Sequence, residues 1–448
     1  MPHNRAFYFE SQAESTDALV VFLNFRSVQI LFFADNFPPE KNAQASRVYE
    51  RARHWVRWGH GVTVITCAPN FPEGQVYPGY KNRWYQSEIV DGIRVVRVKT
   101  YIAANRGRVR RMVDYFSYLP AAFLAGVREK TNIVAATSPQ MFAALAGSMV
   151  ATVLRRPFLL EVSDLWPESI LAVGAMHRPN AIVRGLNALA KFLYMRADRI
   201  VVLTESFRRK LVGIGIPESK IDVVLNGVDL EQYSPRMRDG DLAKSHGISP
   251  SDFVVGYIGT LGMAHGLDNV LDAAAKLLGT RVRFLLVGPG AHRERLVARA
   301  QERGLKNVIF VAPQPKSMMP YYWSLCNVAL VHLKDTMLFE TVIPSKIFEA
   351  MGMGLPIVLC APKGEASRIV LGEGVGWHVQ AGDSNALASL LELLSGHQGI
   401  VEQIASRSRT AASHHSRETQ ARLYVESLEK AQQPARGAEE VPAELQEL

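Results

Sequence analysis

The chain has 448 residues, 48% apolar and 21% charged, the balance of a folded protein, and this length suits two domains of roughly 200 residues each better than a single core. Only three cysteines occur, Cys67, Cys326 and Cys360, with no CxxC pair; this argues for a reducing compartment and against a disulfide framework or a zinc site. The formal charge of +9 leaves two readings open, a solvated basic surface or acidic partners such as nucleic acid, anionic lipid or phosphorylated substrates.

In chain order, residues 1–26 read as a flexible extension with no basic n-region, unlike a signal peptide. Short apolar runs then predict strands near 28–34, 62–67, 93–98, 133–137, 158–162 and 200–203, with an amphipathic helix over 45–58 between the first two. Between them stands Arg106-Gly-Arg-Val-Arg-Arg111, which leads into an apolar, aromatic stretch over 112–127 interrupted by Pro120. A bilayer span needs about 20 apolar residues, so this stretch is too short. It fits either a helix buried beneath a basic loop or an interfacial segment. In the second case Arg106, Arg108, Arg110, Arg111, Tyr115 and Phe116 would meet lipid. No other run approaches a membrane span.

A polar stretch with Pro235, Gly240 and Pro250 follows Asn226-Gly-Val-Asp229 and marks a boundary near 235–250. The second half predicts strands near 253–258, 283–287, 308–311, 328–333 and 356–359, and helices near 267–278, 292–304, 344–353 and 384–394. Strands alternating with helices throughout give an α/β class, two doubly wound domains at 27–235 and 236–411. A last helix near 412–430 is expected to return to the first domain, and 431–448 has the composition of a disordered tail. Doubly wound sheets bind ligands at the carboxyl ends of their strands, so two of them enclose a cleft.

Pro344-Ser345-Lys346 precedes a helical apolar pattern. Proline suits a first helical turn, and the amides there attract an anion. Ser345 adds a hydroxyl and Lys346 a charge, which together suit a diphosphate. Glu349, three residues on, suits a ribose diol. The same residues also fit a capped structural helix with a surface ion pair. Gly288-Pro-Gly290 is a weak phosphate-loop signal, and no GxGxxG occurs, which argues against a nicotinamide-dependent dehydrogenase. Asp164, expected just after a strand and near Trp166, is a candidate for proton handling or for capping a helix. Asp35 has the same ambiguity and is weighted towards acceptor contact, with Asn36 and Asn42 in its loop. No His/Cys/Asp cluster has metal-ligand spacing, and His332 reads as structural.

The stretch IPSKIFEAMGMGLPIV resembles the donor-site segment of family-4 retaining glycosyltransferases of the GT-B fold. ILFFADNFPPE at 30–40, VLNGVD at 224–229 and GYIGTLG at 256–262 are similar to that family's first strand and acceptor loop, its interdomain linker and its first donor loop. DLWPES at 164–169 and PNFPEG at 69–74 resemble the amino-sugar (fucosamine-type) branch of capsule, O-antigen and exopolysaccharide synthesis. The resemblance covers about residues 28–430. It implies a UDP-sugar co-substrate, no cofactor and no required metal. The donor would be held by Gly259, Thr260, Gly262, His265, Gly288, Gln314, Pro344, Ser345, Lys346 and Glu349. The acceptor, a lipid-linked saccharide, would meet Asp35, Asn36, Asn42, Asn70 and Glu168. Asp164, Lys346 and His265 are the candidate catalytic groups, and the expected location is cytoplasmic, peripheral on the inner leaflet of the plasma membrane.

Two features depart from the family pattern. Relatives often carry two glutamates with seven residues between them, but Thr341 stands where the first belongs and Glu340 is one place off. Relatives also often place a basic pair in the first donor loop, where this chain has Thr260 and His265. Lys346 is therefore expected to be the main cation, joined by His265 if that ring is protonated beside a diphosphate. The rival readings are a UDP-sugar 2-epimerase on the same fold, which lacks a convincing carboxylate and histidine set here, and a nucleic-acid-binding protein, disfavoured because the basic residues are scattered.

Overall fold

The computed structural model describes residues 27–40, 42–102, 108–138, 140–165 and 181–433. The strands are β1 Gln29–Phe33, β2 Gly61–Cys67, β3 Tyr85–Val90, β4 Ile93–Val98, β5 Ile133–Ser138, β6 Phe158–Val162, β7 Arg199–Val202, β8 Ile221–Val223, β9 Phe253–Ile258, β10 Val282–Val287, β11 Val308–Val311, β12 Val328–His332, β13 Ile357–Ala361 and β14 Gly376–Gln380. They form two sheets, ordered β3-β4-β2-β1-β5-β6-β7-β8 and β11-β10-β9-β12-β13-β14. All pairings are parallel apart from β3 with β4. Both are the doubly wound α/β sheets expected from the alternating pattern.

The strands read as continuous apolar runs because helices cover both faces. In β1, Leu31 and Phe33 pack under one helical layer while Ile30 and Phe32 pack under the other, the period-two alternation of a strand. The first layer holds the helices Arg108–Gly126, Met141–Leu154 and Ala181–Arg196. Pro120 does not interrupt its helix, which runs on through Gly126; the apolar stretch is one continuous element. The second layer pairs the helix Ala43–Arg57 with Arg417–Gln432 from the far end of the chain. There Trp55 donates its indole N–H to the Ala421 carbonyl at 3.1 Å and stacks on Tyr424 with ring centroids 5.1 Å apart.

The chain crosses between the two sheets at two adjacent points. Val228 bridges to Ser416, its N–H donating to the His415 carbonyl and its carbonyl accepting from Arg417, both at 2.9 Å. Among the described residues, no helix is long and apolar enough to cross a membrane.

Candidate active site

In the second sheet the strand order reverses between β9 and β12, and a ligand crevice opens at such a point. The turn after β9 carries Gly259, Thr260, Gly262 and His265. It is zipped to the turn after β10 by Leu261 N–H to the Pro289 carbonyl at 2.7 Å and His292 N–H to the Leu261 carbonyl at 3.0 Å. Only glycine permits this approach. A Cβ on Gly288, whose φ is +138°, would lie 2.2 Å from the Gly259 oxygen.

A Cβ on Gly259 would in turn come within 3.0 Å of Lys346 Nζ. The lysine opens the seven-residue helix Lys346–Gly352, is 8% exposed, and its ammonium has no hydrogen-bond partner. It rests 3.6 Å from the centroid of the Tyr257 ring, an arrangement that offsets part of the cost of burying a cation. Burial nevertheless pulls its pKa down to about 7, against the opposing pull of Glu349. Glu349 is raised by the same burial and accepts weakly from Trp323 Nε1 at 3.5 Å. Ser345 is exposed and Pro344 half-buried beside it, while Gln314 stands half-buried beyond β11. Thr341 donates to the Leu338 carbonyl within its own turn.

Without a ligand, His265 is a neutral ring beside this site. Burial, then Lys346, pushes its pKa down to about 4. Its Nδ1 faces the His332 carbonyl at 3.4 Å, while His332 Nδ1 faces the His265 carbonyl at 2.6 Å. A carbonyl can only accept, so both rings carry their proton on Nδ1. His332 Nε2 then accepts from Asn269 at 2.9 Å. His332 is thus a buried structural residue, and Lys346 is the cation adjoining the glycine turns.

Across the cleft, the carboxyl ends of β1, β2, β4, β5 and β6 surround a cavity of about 400 Å³. Asp35, Asn36, Asn42, Asn70, Asp164 and Tyr115 all line it, so the structure brings most of the expected acceptor residues together. Asp35 is pushed up to about 6 by burial, with Glu40 adding to the effect and a 2.8 Å hydrogen bond from Gln44 opposing it. Asn42 is already occupied: its oxygen caps the helix from Ala43 by accepting from Ala45, and its nitrogen donates to Asn36. Asn70 is likewise tied to the Ala68 carbonyl, and its own N–H donates to the buried Glu40. Glu168 and Arg106 lie outside the described residues, as do the side chains of Arg108, Arg110 and Arg111. Phe116 is exposed, packing edge-on against Phe142.

The sequence did not reveal the ion-pair network that holds Arg47 at this cavity. Glu161, fully buried on β6, takes Arg47 Nε at 2.8 Å, Arg51 Nη1 at 2.7 Å and the Thr137 hydroxyl at 3.1 Å. Burial pushes its carboxyl upward, but the two arginines outweigh this and hold it below the ordinary range. Arg47 then lines the cavity. A lone glutamate inside the apolar run FLLEV was the available signal, since a buried charge demands partners.

Comparison with known proteins adds to this geometry. Residues 42–227 match a model described as a glycosyl transferase 4-like domain, and residues 240–411 one described as glycosyl transferases group 1. A protein of Escherichia coli K12 named as a colanic acid biosynthesis glycosyl transferase, WcaI, is 24% identical over 343 residues, 75% of this chain and 83% of its own. The crystal structure of Anabaena HepE in complex with UDP superposes with a TM-score of 0.66 at 18% identity, over 90% of this chain and 99% of that one. Sucrose-phosphate synthase from Thermosynechococcus elongatus gives 0.68 at 16% identity, over 90% and 99%. With both domain models matched in order along two facing doubly wound sheets, the protein is a glycosyltransferase of the GT-B type.

Proposed function

We propose that the enzyme transfers a sugar, an N-acetylated amino or deoxyamino hexose, from a UDP-sugar to a polyprenyl-diphosphate-linked saccharide, with retention of anomeric configuration, during polysaccharide synthesis. The observation that carries this reading is Lys346 Nζ, buried without a hydrogen-bond partner against the Gly259 turn at the switch point. A buried charge without an acceptor is costly, and a diphosphate seated there would supply oxygens to it. HepE, which shares the fold, binds UDP in its crystal structure, and WcaI carries a name from colanic acid biosynthesis.

In this reading Lys346 and the amides of the Gly259–Gly262 turn neutralise the diphosphate as it leaves. Glu349 takes the ribose. The acceptor sugar enters the 400 Å³ cavity, where Asp35 and Asp164 orient its hydroxyls. The new bond forms on the face the phosphate leaves, and the departing phosphate oxygen receives the acceptor's proton. The helix Arg108–Gly126 beside the cavity exposes Val113, Phe116 and Leu124, spaced three and eight residues apart. That apolar stripe suits docking at the cytoplasmic leaflet, which would bring a lipid-linked acceptor to the cavity.

The test is a panel of UDP-sugars incubated with membrane extract, following nucleotide release and the anomeric configuration of the product. Failure of every nucleotide sugar to bind would sink the reading. Within the panel, Lys346→Ala should weaken donor binding by about tenfold or more, the value of a lost charge-assisted contact. Thr341→Ala should change it little; equal small effects would show that the phosphate site is misplaced.

A further inference from the structure

The two domains also meet away from the donor turns, and one buried carboxylate gathers that contact. Glu365 opens the helix Glu365–Gly372 after β13, at the carboxyl end of the second sheet, and is 4% exposed. Its Oε1 accepts from the Ser206 hydroxyl and from Arg209 Nη2, the latter at 3.1 Å. Both donors stand on the helix Glu205–Gly213, which follows β7 in the other sheet. Arg209 also donates to the Ser206 hydroxyl at 2.8 Å. Arg368, one turn further along Glu365's own helix, donates to the same oxygen. A carboxylate is held out of water only where donors replace its hydration. Here the first domain supplies two of the three. If the domains part, Glu365 can return to water with Arg368 still beside it, so the contact is reversible.

Two features connect this contact to the donor segment. Gly364 lies against the backbone of Glu340, where a Cβ would stand 2.1 Å from the Glu340 oxygen. Glu340 belongs to the turn Met337–Thr341, which leads directly into Pro344-Ser345-Lys346. Ile343, three residues before the lysine, lines a cavity of about 590 Å³ that is also lined by Glu205 and Glu365. Leu225, His415 and Gln420, beside the two chain crossings, bound the same cavity. The crossings thus form one edge of the interdomain contact and the Glu365 cluster another, with the approach to Lys346 between them.

We infer that Glu365 is a positioning residue: it clasps the two domains together and, through Gly364 and the turn before Lys346, sets the donor segment in its binding position. This rests on Lys346 marking the donor diphosphate site. A clasp that favours the closed arrangement raises ligand affinity by the fraction of molecules it keeps competent.

The experiment compares Glu365→Ala, Arg209→Ala and Glu365→Gln with the wild type, by small-angle scattering without ligand and by calorimetric titration with UDP. Both alanine variants should increase the radius of gyration and weaken UDP binding about three- to tenfold. Glu365→Gln, which keeps a carbonyl oxygen for Ser206 and Arg209, should recover most of both. Arg209 is more than half exposed, so its loss should leave the thermal midpoint near that of the wild type. If Arg209→Ala leaves radius and affinity unchanged while Glu365→Ala disturbs them, Glu365 acts only within its own helix and the clasp is overturned. If the wild type does not bind UDP, the donor reading falls, and the scattering comparison alone decides the clasp: a larger radius in both alanine variants upholds it, and unchanged radii refute it.

Discussion

Lys346 is an unusual cation for a diphosphate site because it sits near its own titration point. Burial draws its pKa to about 7 in the unliganded protein, whereas a bound diphosphate would favour the charged form and raise it. Donor affinity should therefore be level below pH 7 and fall by about tenfold per pH unit above it, as binding must take up a proton. The groups facing the ammonium do not blunt this. Tyr257 is pushed well above its usual range by burial, His265 and His332 are held at about 4, and Glu349 is raised. Titration calorimetry with UDP-glucose checks it, since that diester does not itself ionise near neutrality. Lys346→Arg should flatten the profile because arginine stays charged. A wild-type profile that is flat from pH 6 to 9 would refute the expectation. Among the described residues no neighbouring cation acts on the lysine: burial and Glu349 set its titration.

At the scale of elements, the helix Arg108–Gly126 has two faces, one lining the 400 Å³ cavity through Asp114, Tyr115 and Tyr118 and one presenting Phe116 and Leu124, 58% and 52% exposed, to solvent. Changing both to serine should leave the thermal midpoint nearly unchanged, because exposed positions contribute little to the core. It should reduce co-sedimentation with phosphatidylglycerol vesicles if this face docks on a membrane; undiminished sedimentation would place the contact elsewhere. How much of this was legible varied with the element. The apolar runs of β1, β2, β4, β5 and β6 announced themselves, being buried on both faces. The edge strand β3, YQSEIV, did not, because none of its residues is fully buried and polar residues stand on both of its faces. The helix Met141–Leu154 is almost uniformly apolar, so it lacks the periodicity that marks a surface helix. The turns after β9 and β10 were legible from their glycines. The Arg47–Glu161–Arg51 network was not, since Glu161 stands 114 and 110 positions from its two arginines.

On the scale of the whole molecule, the last helix is part of the first domain's core. Ala421, Tyr424, Val425 and Leu428 are buried against Phe32 and Trp55. Burying side chains the size of Tyr424, Val425 and Leu428 stabilises by about 1.5–3 kcal/mol each, so their joint loss is comparable with the 5–15 kcal/mol stability typical of a domain. A chain ending at residue 415 should therefore accumulate as insoluble protein or lose cooperative unfolding by circular dichroism, though both sheets are present. A soluble product with the full-length melting curve would contradict this. The sequence by itself determined the two α/β halves, the glycine turns and the lysine poised at a helix start, because these depend on local apolar periodicity and on backbone freedom at single positions. Only the tertiary structure decided which charges are paired. It placed Glu161 between two arginines, turned His265 into a neutral ring, left Lys346 without an acceptor, and brought Glu365 to the opposite domain. Each of those outcomes depends on burial and on partners distant in the chain, and neither can be read from neighbours along it.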